Sequence, residues 1–447
     1  MAKNIKAIKC PQCGSTKATE LKPDYYRCNS CGTEFFLDSD DININHNYNY
    51  PNNKPQVDSK KVGLIFGGMV ILFVILPIFI NLFTSSKKNS YGAYSSSTKD
   101  SKEAQYSWNN SSDALFVDAK GDPYFVVVGS LYDDAADYQE RDVKNAYLVL
   151  YDGKTSEKKM AKDLGSFKFE SSSDVELRIF DDKNLYFILN KKRIFRLNAK
   201  DLSVEELTDT YVKNNNDISV GLAKVEFLYS NYGSGFNVVT NDGRNLVFMP
   251  FINKTYDKNQ SYKAENAKLP QPNLETAFAF SSPSTEYPNE KLELVKYKYE
   301  YQMGYMRDKP RFEWRKDYGG SGIFTDRDPY TKYFAYKGDG RLVSFIDLTP
   351  GRTYFSPTLV AFSTTEVLIG IKPTPGEDEK YQLQILNPDN GTILKTVDLP
   401  TKYLKENGYI LKDGYFFEGN DAYFIDKNGK IVNTIKGTYD LKLKDLN

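Results

Sequence analysis

The segment YQLQILNPDNGTIL, residues 381–394, contains the pattern that predicts the architecture of most of this chain. An alternating apolar run ends in an Asn-Pro-Asp-Asn-Gly turn, and a second apolar run follows at once. Alternation with a period of two is typical of a β-strand, and a turn of Asn, Asp, Pro and Gly between two such runs predicts an antiparallel hairpin. The segment therefore predicts β-sheet.

The same strand–turn–strand unit recurs through the C-terminal part of the chain. Short strands alone also fit a sandwich or a barrel, but the spacing of the units favours a β-propeller. Their starts are 40 to 51 residues apart, within the range of propeller blades. The starts are Tyr147, Arg193, Arg244, Lys291, Arg341, Tyr381 and Ala422. The chain is therefore predicted to be mainly β, with residues 113–447 forming a propeller of about seven blades.

The turn at residues 387–394 resembles the turn of quinoprotein-type propeller repeats. Those repeats usually place a tryptophan a few residues later, whereas Lys395-Thr396-Val397 follows here and the chain has two tryptophans in all. The resemblance implies the propeller architecture and not the cofactor chemistry, so no cofactor-binding residue is assigned to this domain.

All four cysteines lie in two C-x-x-C pairs near the N-terminus, Cys10 with Cys13 and Cys28 with Cys31. A glycine follows each pair, and its freedom to adopt a positive φ suits the turn of a metal-binding knuckle. Four thiolates complete a tetrahedral zinc site without an open position, so we expect structural zinc. Two disulfides, a redox C-x-x-C motif and an iron site remain alternatives.

With these knuckles, residues 8–37 resemble a zinc ribbon, and we assign residues 1–40 to this domain. The resemblance implies two short hairpins joined by the metal. So short a segment cannot bury a useful core, and structural zinc contributes roughly 10–16 kcal/mol in its place. Residues 1–37 carry six Lys or Arg against three acids. This weak basic excess makes nucleic acid an unlikely partner.

Residues 62–83, VGLIFGGMVILFVILPIFINLF, contain no charged side chain. As a helix they would extend about 33 Å, enough for a hydrocarbon core of about 30 Å. We therefore predict a single transmembrane helix, flanked by an Asn-rich linker at 41–61 and a linker rich in Ser, Lys and Asn at 84–112. His46 in the first linker is the chain's one histidine, and it matches no ligand spacing.

The orientation of this helix rests on the cysteines, because lysines flank the span almost equally on both sides and the positive-inside rule favours neither orientation. Thiolate sites persist most easily in a reducing compartment. We therefore expect a protein of the cell membrane whose N-terminus is cytoplasmic and whose C-terminal domain is extracytoplasmic.

Catalytic residues are not evident in the large domain. Histidine and cysteine are absent from the sequence after residue 46, which excludes His-based acid–base catalysis and thiol nucleophiles there. The glycine clusters at 233–235 and 319–322 match no nucleotide-binding loop and are predicted to be turns. We expect a protein that is not an enzyme and assign no catalytic residue.

The segment VKYKYEY, residues 295–301, is predicted to be a strand with a valine and three tyrosines on one face and charged residues on the other. The tyrosines could form a surface for a glycan or a peptide, or they could pack between blades, and we favour packing.

The sequence favours a membrane-anchored binding or scaffold protein, with a cytoplasmic structural zinc ribbon and an external propeller that binds a protein or glycan partner. The 59 basic and 59 acidic side chains balance, so charge indicates no large anionic partner. Two alternatives are an envelope enzyme with a carboxylate or metal site in the propeller, and a membrane-tethered zinc ribbon that binds nucleic acid.

Overall fold

The computed structural model describes residues 10, 15–22, 25–36, 106–133, 143–229, 232–307, 310–317, 331–335, 341–438 and 441 of the 447-residue chain. The predicted linker at 41–61 and the apolar segment at 62–83 lie outside these residues. Within them, no helix combines the length and apolar character that crossing a bilayer requires.

The N-terminal part contains a small antiparallel sheet of three strands in the order β1-β2-β3. They are β1 (Ala18–Lys22), β2 (Tyr25–Cys28) and β3 (Glu34–Phe36). The buried side chains described in this part are Cys10 and Cys28, each 1% exposed, and Thr33, 8% exposed, with Ala18 and Tyr26 packed beside the two cysteines. The thiols themselves therefore occupy the position that a hydrophobic core holds in larger domains.

The rest of the described chain forms a β-propeller of six blades, each an antiparallel sheet. Blade 1 consists of β4 (Tyr106–Val117), β5 (Pro123–Asp133), β6 (Val143–Asp152) and β7 (Lys158–Gly165). Blade 2 consists of β8 (Val175–Ile179), β9 (Leu185–Leu189), β10 (Arg193–Leu197) and β11 (Val204–Glu206). Blade 3 consists of β12 (Leu222–Phe227), β13 (Phe236–Thr240), β14 (Asn245–Met249) and β15 (Lys254–Asp257).

The second half of the ring begins with blade 4, whose three strands are β16 (Asn273–Phe280), β17 (Leu294–Tyr301) and β20 (Leu342–Asp347). A separate hairpin, β18 (Glu313–Asp317) and β19 (Thr331–Ala335), lies between β17 and β20 in the chain. Blade 5 consists of β21 (Phe355–Phe362), β22 (Val367–Lys372), β23 (Gln382–Leu386) and β24 (Ile393–Asp398). Blade 6 consists of β25 (Leu404–Ile410), β26 (Gly414–Gly419), β27 (Ala422–Asp426) and β28 (Ile431–Ile435).

Helical structure is limited in the described residues to two α-helices and four 3₁₀ turns. The helices are α1 (Thr208–Asn214), between blades 2 and 3, and α2 (Tyr262–Glu265), between blades 3 and 4. The 3₁₀ turns are Ser172–Asp174, Asn216–Ile218, Pro250–Ile252 and Lys258–Gln260.

The prediction of a propeller is confirmed, but the expected count of about seven blades is wrong. The units that begin near Lys291 and at Arg341 both belong to blade 4, where β17 and β20 are hydrogen-bonded neighbours with Tyr297 opposite Phe345. The long insertion that carries the β18–β19 hairpin separates the two strands in sequence by a normal blade length. One blade therefore resembles two in the sequence.

Apolar residues face both sides of each sheet because every blade lies between two others. In β6, Leu148 and Leu150 pack in the cluster shared with blade 2. Their neighbours Tyr147, Val149 and Tyr151 pack in the cluster shared with blade 6. Burial on both faces explains why such strands are almost continuously hydrophobic in sequence.

The ring closes between blade 6 and blade 1, each of which is built in the described residues from one continuous stretch of chain. Side chains make this junction: Phe416 and Phe424 pack against Leu115 and other residues of blade 1. The side-chain amide of Asn433 also donates to the carbonyl oxygen of Gly153 at 3.0 Å. Closure therefore depends on packing and a few hydrogen bonds.

First strands of neighbouring blades contact one another at the junctions 1–2, 2–3, 4–5, 5–6 and 6–1. Between blades 3 and 4 a different cluster forms the contact. Met306, from the loop after β17, and Ala264 of α2 pack on Leu228, Val247 and Met249 of blade 3. Loop residues therefore complete this junction.

Blade 1 begins earlier than the sequence suggested. Strand β4 starts at Tyr106, so residues 106–112, assigned to the linker from their polar composition, pair with β5 in the first blade. Within this stretch Trp108 is 9% exposed and packs in the apolar cluster between blades 6 and 1.

Candidate functional site

Three of the four cysteines predicted to bind metal lie together in the structure. The Sγ atoms of Cys10, Cys28 and Cys31 all lie within 4.8 Å of one another, and those of Cys10 and Cys31 are 3.7 Å apart. Tetrahedral coordination with bonds of about 2.3 Å places thiolates about 3.8 Å apart, whereas a disulfide requires about 2.05 Å. No disulfide joins these three cysteines to one another, and they could hold a metal ion. Cys13 lies outside the described residues.

The chain around Cys28 has the geometry of a metal-binding knuckle. The amide of Ser30 donates to Cys28 Sγ at 3.4 Å, and the amide of Gly32 donates to the Cys28 carbonyl oxygen at 2.9 Å. Gly32 has a φ of 75°, the conformation for which a glycine was expected at this position. The N–H group directed at the sulfur favours the thiolate, because it places positive partial charge beside it.

The tyrosines of β17 do not form an exposed surface. Tyr297, Tyr299 and Tyr301 are 5–6% exposed and pack in a cluster with Phe312, whose ring centre lies 5.4 Å from that of Tyr297. The prediction that these tyrosines are packed rather than exposed is therefore confirmed, but their cluster consists of blade 4 and its own insertion rather than of two neighbouring blades.

A half-buried ion pair links the loop after β17 to blade 2. The Arg307 guanidinium lies 3.3 Å from Asp181 and 4.4 Å from the centre of the Tyr301 ring, while the Tyr301 hydroxyl donates to Asp181 at 2.6 Å. Burial and the Asp181 charge together raise the pKa of Tyr301 far above its usual range. Burial, the largest single effect, would lower the pKa of Arg307, but Asp181, Tyr299, Tyr301 and Glu275 together outweigh it and the pKa is raised. This group is paired and serves packing.

The turn that contains Gly233, Ser234 and Gly235 lies beside this ion pair. Gly233 has a φ of 86°, and the Ser234 hydroxyl accepts a hydrogen bond of 2.8 Å from the amide of Asp181. The prediction of a turn is confirmed here, while the second glycine cluster, 319–322, lies outside the described residues.

Two buried carboxyl groups meet at the junction of blades 6 and 1. Asp113 of β4 and Glu418 of β26 line a cavity of about 430 Å³ together with Lys405 of β25, which forms an ion pair with Glu418. Burial raises the pKa of both carboxyl groups, and the neighbouring Lys405 only partly offsets this effect. The sequence could not identify the pair because about 300 residues separate its members.

A larger cavity, of about 600 Å³, lies beside the connection between blades 4 and 5. The residues that line it include Arg352, Thr349 and the blade 5 segment 390–396, with Ser30 and Cys31 of the N-terminal part. Residues 349–352, Thr-Pro-Gly-Arg, form a type II turn in which the Arg352 amide donates to the Thr349 carbonyl at 3.1 Å and Gly351 has a φ of 80°. Arg352 was not predicted to be a site residue. The Pro-Gly turn directly before it is the local feature of the sequence that marks its position.

No protein-family model matches the chain, and no curated protein matches it. Among solved structures it is similar to BamB from Moraxella catarrhalis, at 12% identity over 74% of this chain and 91% of that chain, with a TM-score of 0.24. The computationally designed Ika8 protein matches at 11% identity over 74% and 97% of the two chains, with a TM-score of 0.26. Sqt1 from Saccharomyces cerevisiae matches at 12% over 74% and 89%, with a TM-score of 0.21. At these values none of them bears on function.

Proposed function

We propose that this chain is a membrane-anchored binding or scaffold protein. The observation that carries the proposal is the packing of the six blades, whose strands are buried on both faces and leave turns, loops and interblade cavities as the surface offered to a partner. Rigid scaffolds that present loops commonly bind ligands at such positions. The partner of the propeller is a protein or a glycan.

Zinc is the metal proposed for the cysteine cluster, with Cys13 as the fourth ligand and a structural role in a zinc ribbon. Four thiolates are typical of structural zinc, and the burial of Cys10 and Cys28 suits a closed site. Elemental analysis of the purified full chain tests this, with one zinc per chain expected and less in Cys13→Ser and Cys28→Ser variants. Stoichiometric iron, with its visible absorption, would contradict the assignment.

Residues 62–83 are proposed to anchor the protein in the membrane, with the cysteines in the cytoplasm and the propeller outside. The proposal rests on the uncharged run of 22 residues and on the redox argument. It conflicts with the position of Ser30 and Cys31, which line the same cavity as Arg352 and would have to lie on the same side of the bilayer. Only one of these two arrangements holds in cells.

Labelling with a membrane-impermeant maleimide decides between them. A Val432→Cys variant places a thiol at a propeller position that is 52% exposed, and the native cysteines report on the N-terminal part. We expect intact cells, treated with a membrane-impermeant chelator so that zinc cannot shield thiols outside the membrane, to label the introduced thiol alone, and lysed, denatured cells to label the native thiols as well. Labelling of neither group, or of both, in intact cells would overturn the orientation.

The binding role is tested by cross-linking the full chain in its own cells and identifying partners by mass spectrometry. We expect recurrent cross-links from exposed propeller lysines to one partner. A turnover activity of the purified protein, with no partner recovered, would contradict the binding role.

A second candidate, an enzyme with a carboxylate site in the propeller, is favoured by Asp113 and Glu418 in their shared cavity. A pair of carboxyl groups with raised pKa values can supply a proton donor. A panel of glycosides and esters tests it, with Glu418→Gln as the diagnostic variant. Absence of turnover, or turnover that Glu418→Gln leaves unchanged, would remove this candidate.

A further inference from the structure

Arg352 is a buried arginine without a compensating negative charge in the described part of the chain. Its side chain is 8% exposed, and its Nη2 donates to the amide oxygen of Gln384, itself 1% exposed. The guanidinium carbon lies 4.8 Å from the centre of the Tyr354 ring. Nε and Nη1 are shielded from solvent and have no hydrogen-bond partner. An arginine left in this state is costly, because burial removes water without supplying acceptors.

Arg307 shows how the same protein accommodates a buried arginine whose role is packing. It also lies over a tyrosine ring, at 4.4 Å, and its Nε likewise has no hydrogen-bond partner, but Asp181 neutralises its charge at 3.3 Å. The less buried Arg193 and Arg196 are paired with Glu206 and Glu205. At Arg352 a neutral glutamine occupies the position that a carboxylate holds beside Arg307.

The cavity beside Arg352 is large enough for a ligand, and no Asp or Glu lines it among the residues that the structure describes. Its volume is about 600 Å³, and its lining residues include the hydroxyl-bearing Thr349, Thr392 and Thr396 of the propeller, with Ser30 and Cys31 of the N-terminal part. Lys395 Nζ donates to the carbonyl oxygen of Lys427 at 2.6 Å, which directs this cation towards blade 6 and leaves Arg352 as the cation of the cavity. A guanidinium with unbonded nitrogens and several neighbouring hydroxyls favour an anion.

We propose that Arg352 binds the carboxylate or phosphate group of a ligand that occupies this cavity. In the complex the guanidinium rotates about its terminal torsions and turns its unbonded nitrogens to the oxyanion. The guanidinium lies over the Tyr354 ring, and the Tyr354 hydroxyl shares a hydrogen bond of 2.5 Å with Thr349 Oγ1. The inference rests on the binding role proposed for the propeller and names the chemistry that this part of it recognises.

The experiment measures the binding of two probes, citrate and inorganic phosphate, to the purified full chain in mild detergent by titration calorimetry, at constant ionic strength with chloride as the reference anion. The variants are Arg352→Met, which removes the charge, and Arg352→Lys, which retains it. The matched control is Arg244→Met, at an exposed arginine paired with Asp242 at 3.0 Å.

Saturable binding of at least one probe is expected, with affinity about 10- to 100-fold weaker in Arg352→Met, an intermediate loss in Arg352→Lys and no change in Arg244→Met. Preference for citrate indicates a carboxylate ligand, and preference for phosphate indicates a phosphorylated one. The proposal is overturned if neither probe binds saturably, or if Arg352→Met binds as tightly as the native chain. Should Arg352→Met fail to fold, Arg352→Lys and Arg352→Gln decide by the same criterion. Loss of anion binding would leave the cross-linking result unaffected, so the two proposals fail separately.

Discussion

The N-terminal sheet and the propeller solve the problem of stability in different ways. The three short strands β1–β3 bury two cysteines with a few neighbours, whereas each junction of the propeller has an apolar cluster of its own, such as those that join blade 1 to blades 2 and 6. A segment of under forty residues cannot remove enough apolar surface from water to offset the entropy of ordering its chain. A metal at the cysteine cluster would supply the N-terminal part with the stabilisation that apolar burial gives to the propeller.

The two parts also differ in how far apart in the sequence their contacting residues lie. The cysteine cluster consists of residues at most 21 positions apart. Its ligands therefore lie in one short segment and are easily recognised from the sequence. The propeller closes through contacts between β4 and β25, nearly 300 residues apart. The stability of the ring therefore depends on contacts between residues that are distant in sequence, and such residues also line its cavities.

Removal of the metal is expected to have the largest effect and to be confined to the N-terminal part. Without the ion three thiols lose their common partner, and roughly 10–16 kcal/mol of apparent stabilisation is lost with it. A chelator, or Cys28→Ser, should abolish hydrogen-exchange protection in β1–β3 while protection in β9 and β10 of the full chain is unchanged. Protection of β1–β3 that survives chelation would show that this sheet is stable without a metal.

The closure of the ring should respond to a single truncation in the cluster between blades 6 and 1. Phe416 is fully buried there, and Phe416→Ala is expected to lower the free energy of unfolding by about 3–5 kcal/mol, measured by denaturant titration of the propeller. The control is Val432→Ala on β28, half exposed at 52%, which should change it by less than about 0.5 kcal/mol. Equal effects would mean that this junction does not limit the stability of the ring.

The Asp181–Arg307 pair should contribute less, because both side chains remain partly accessible, at 17% and 24%. Asp181→Asn is expected to cost about 1.5–3 kcal/mol, since it removes a carboxylate that also accepts from Tyr301 at 2.6 Å. A double-mutant cycle with Arg307→Met isolates the pairwise energy. A cycle that closes at zero would show that the two groups stabilise the junction independently.

The smallest effect expected is a pH dependence that originates in the carboxyl pair of blades 1 and 6. Burial raises the pKa of Asp113 and Glu418 in the folded protein, so above the ordinary carboxyl value of about 4 the folded state binds more protons than the unfolded state. The propeller should therefore lose stability as pH rises from about 4 through the raised pKa values. Lys405 stays protonated in this window, because Glu418 raises its pKa despite burial.

Glu418→Gln tests the origin of that dependence, because it removes one of the two titrating groups and keeps the shape of the side chain. The slope of unfolding free energy against pH should become flatter between about pH 4 and 7. An unchanged slope would assign the dependence to other acids, such as the surface-exposed ones that line no cavity.

Much of the architecture could be predicted because it follows from local patterns. Alternating residues and turn sequences such as Asn387-Pro388-Asp389 define strands and hairpins within a few positions, and Gly32 after Cys31 indicates the knuckle. The count of blades could not be obtained in this way. Only the pairing of β17 with β20 across a long insertion shows that the units near Lys291 and at Arg341 form a single blade.

Three properties follow from the order of the residues alone: the β-strand character of the large domain, the two cysteine pairs, and an uncharged run long enough to cross a bilayer. Each depends on residues that are close together in the chain. Three others follow only from the folded ring: the tyrosines of β17 are buried, Asp113 meets Glu418, and Arg352 faces a cavity without a counter-charge in the described residues. Burial and pairing depend on neighbours that are distant in sequence, and closure of the ring is what brings those neighbours together.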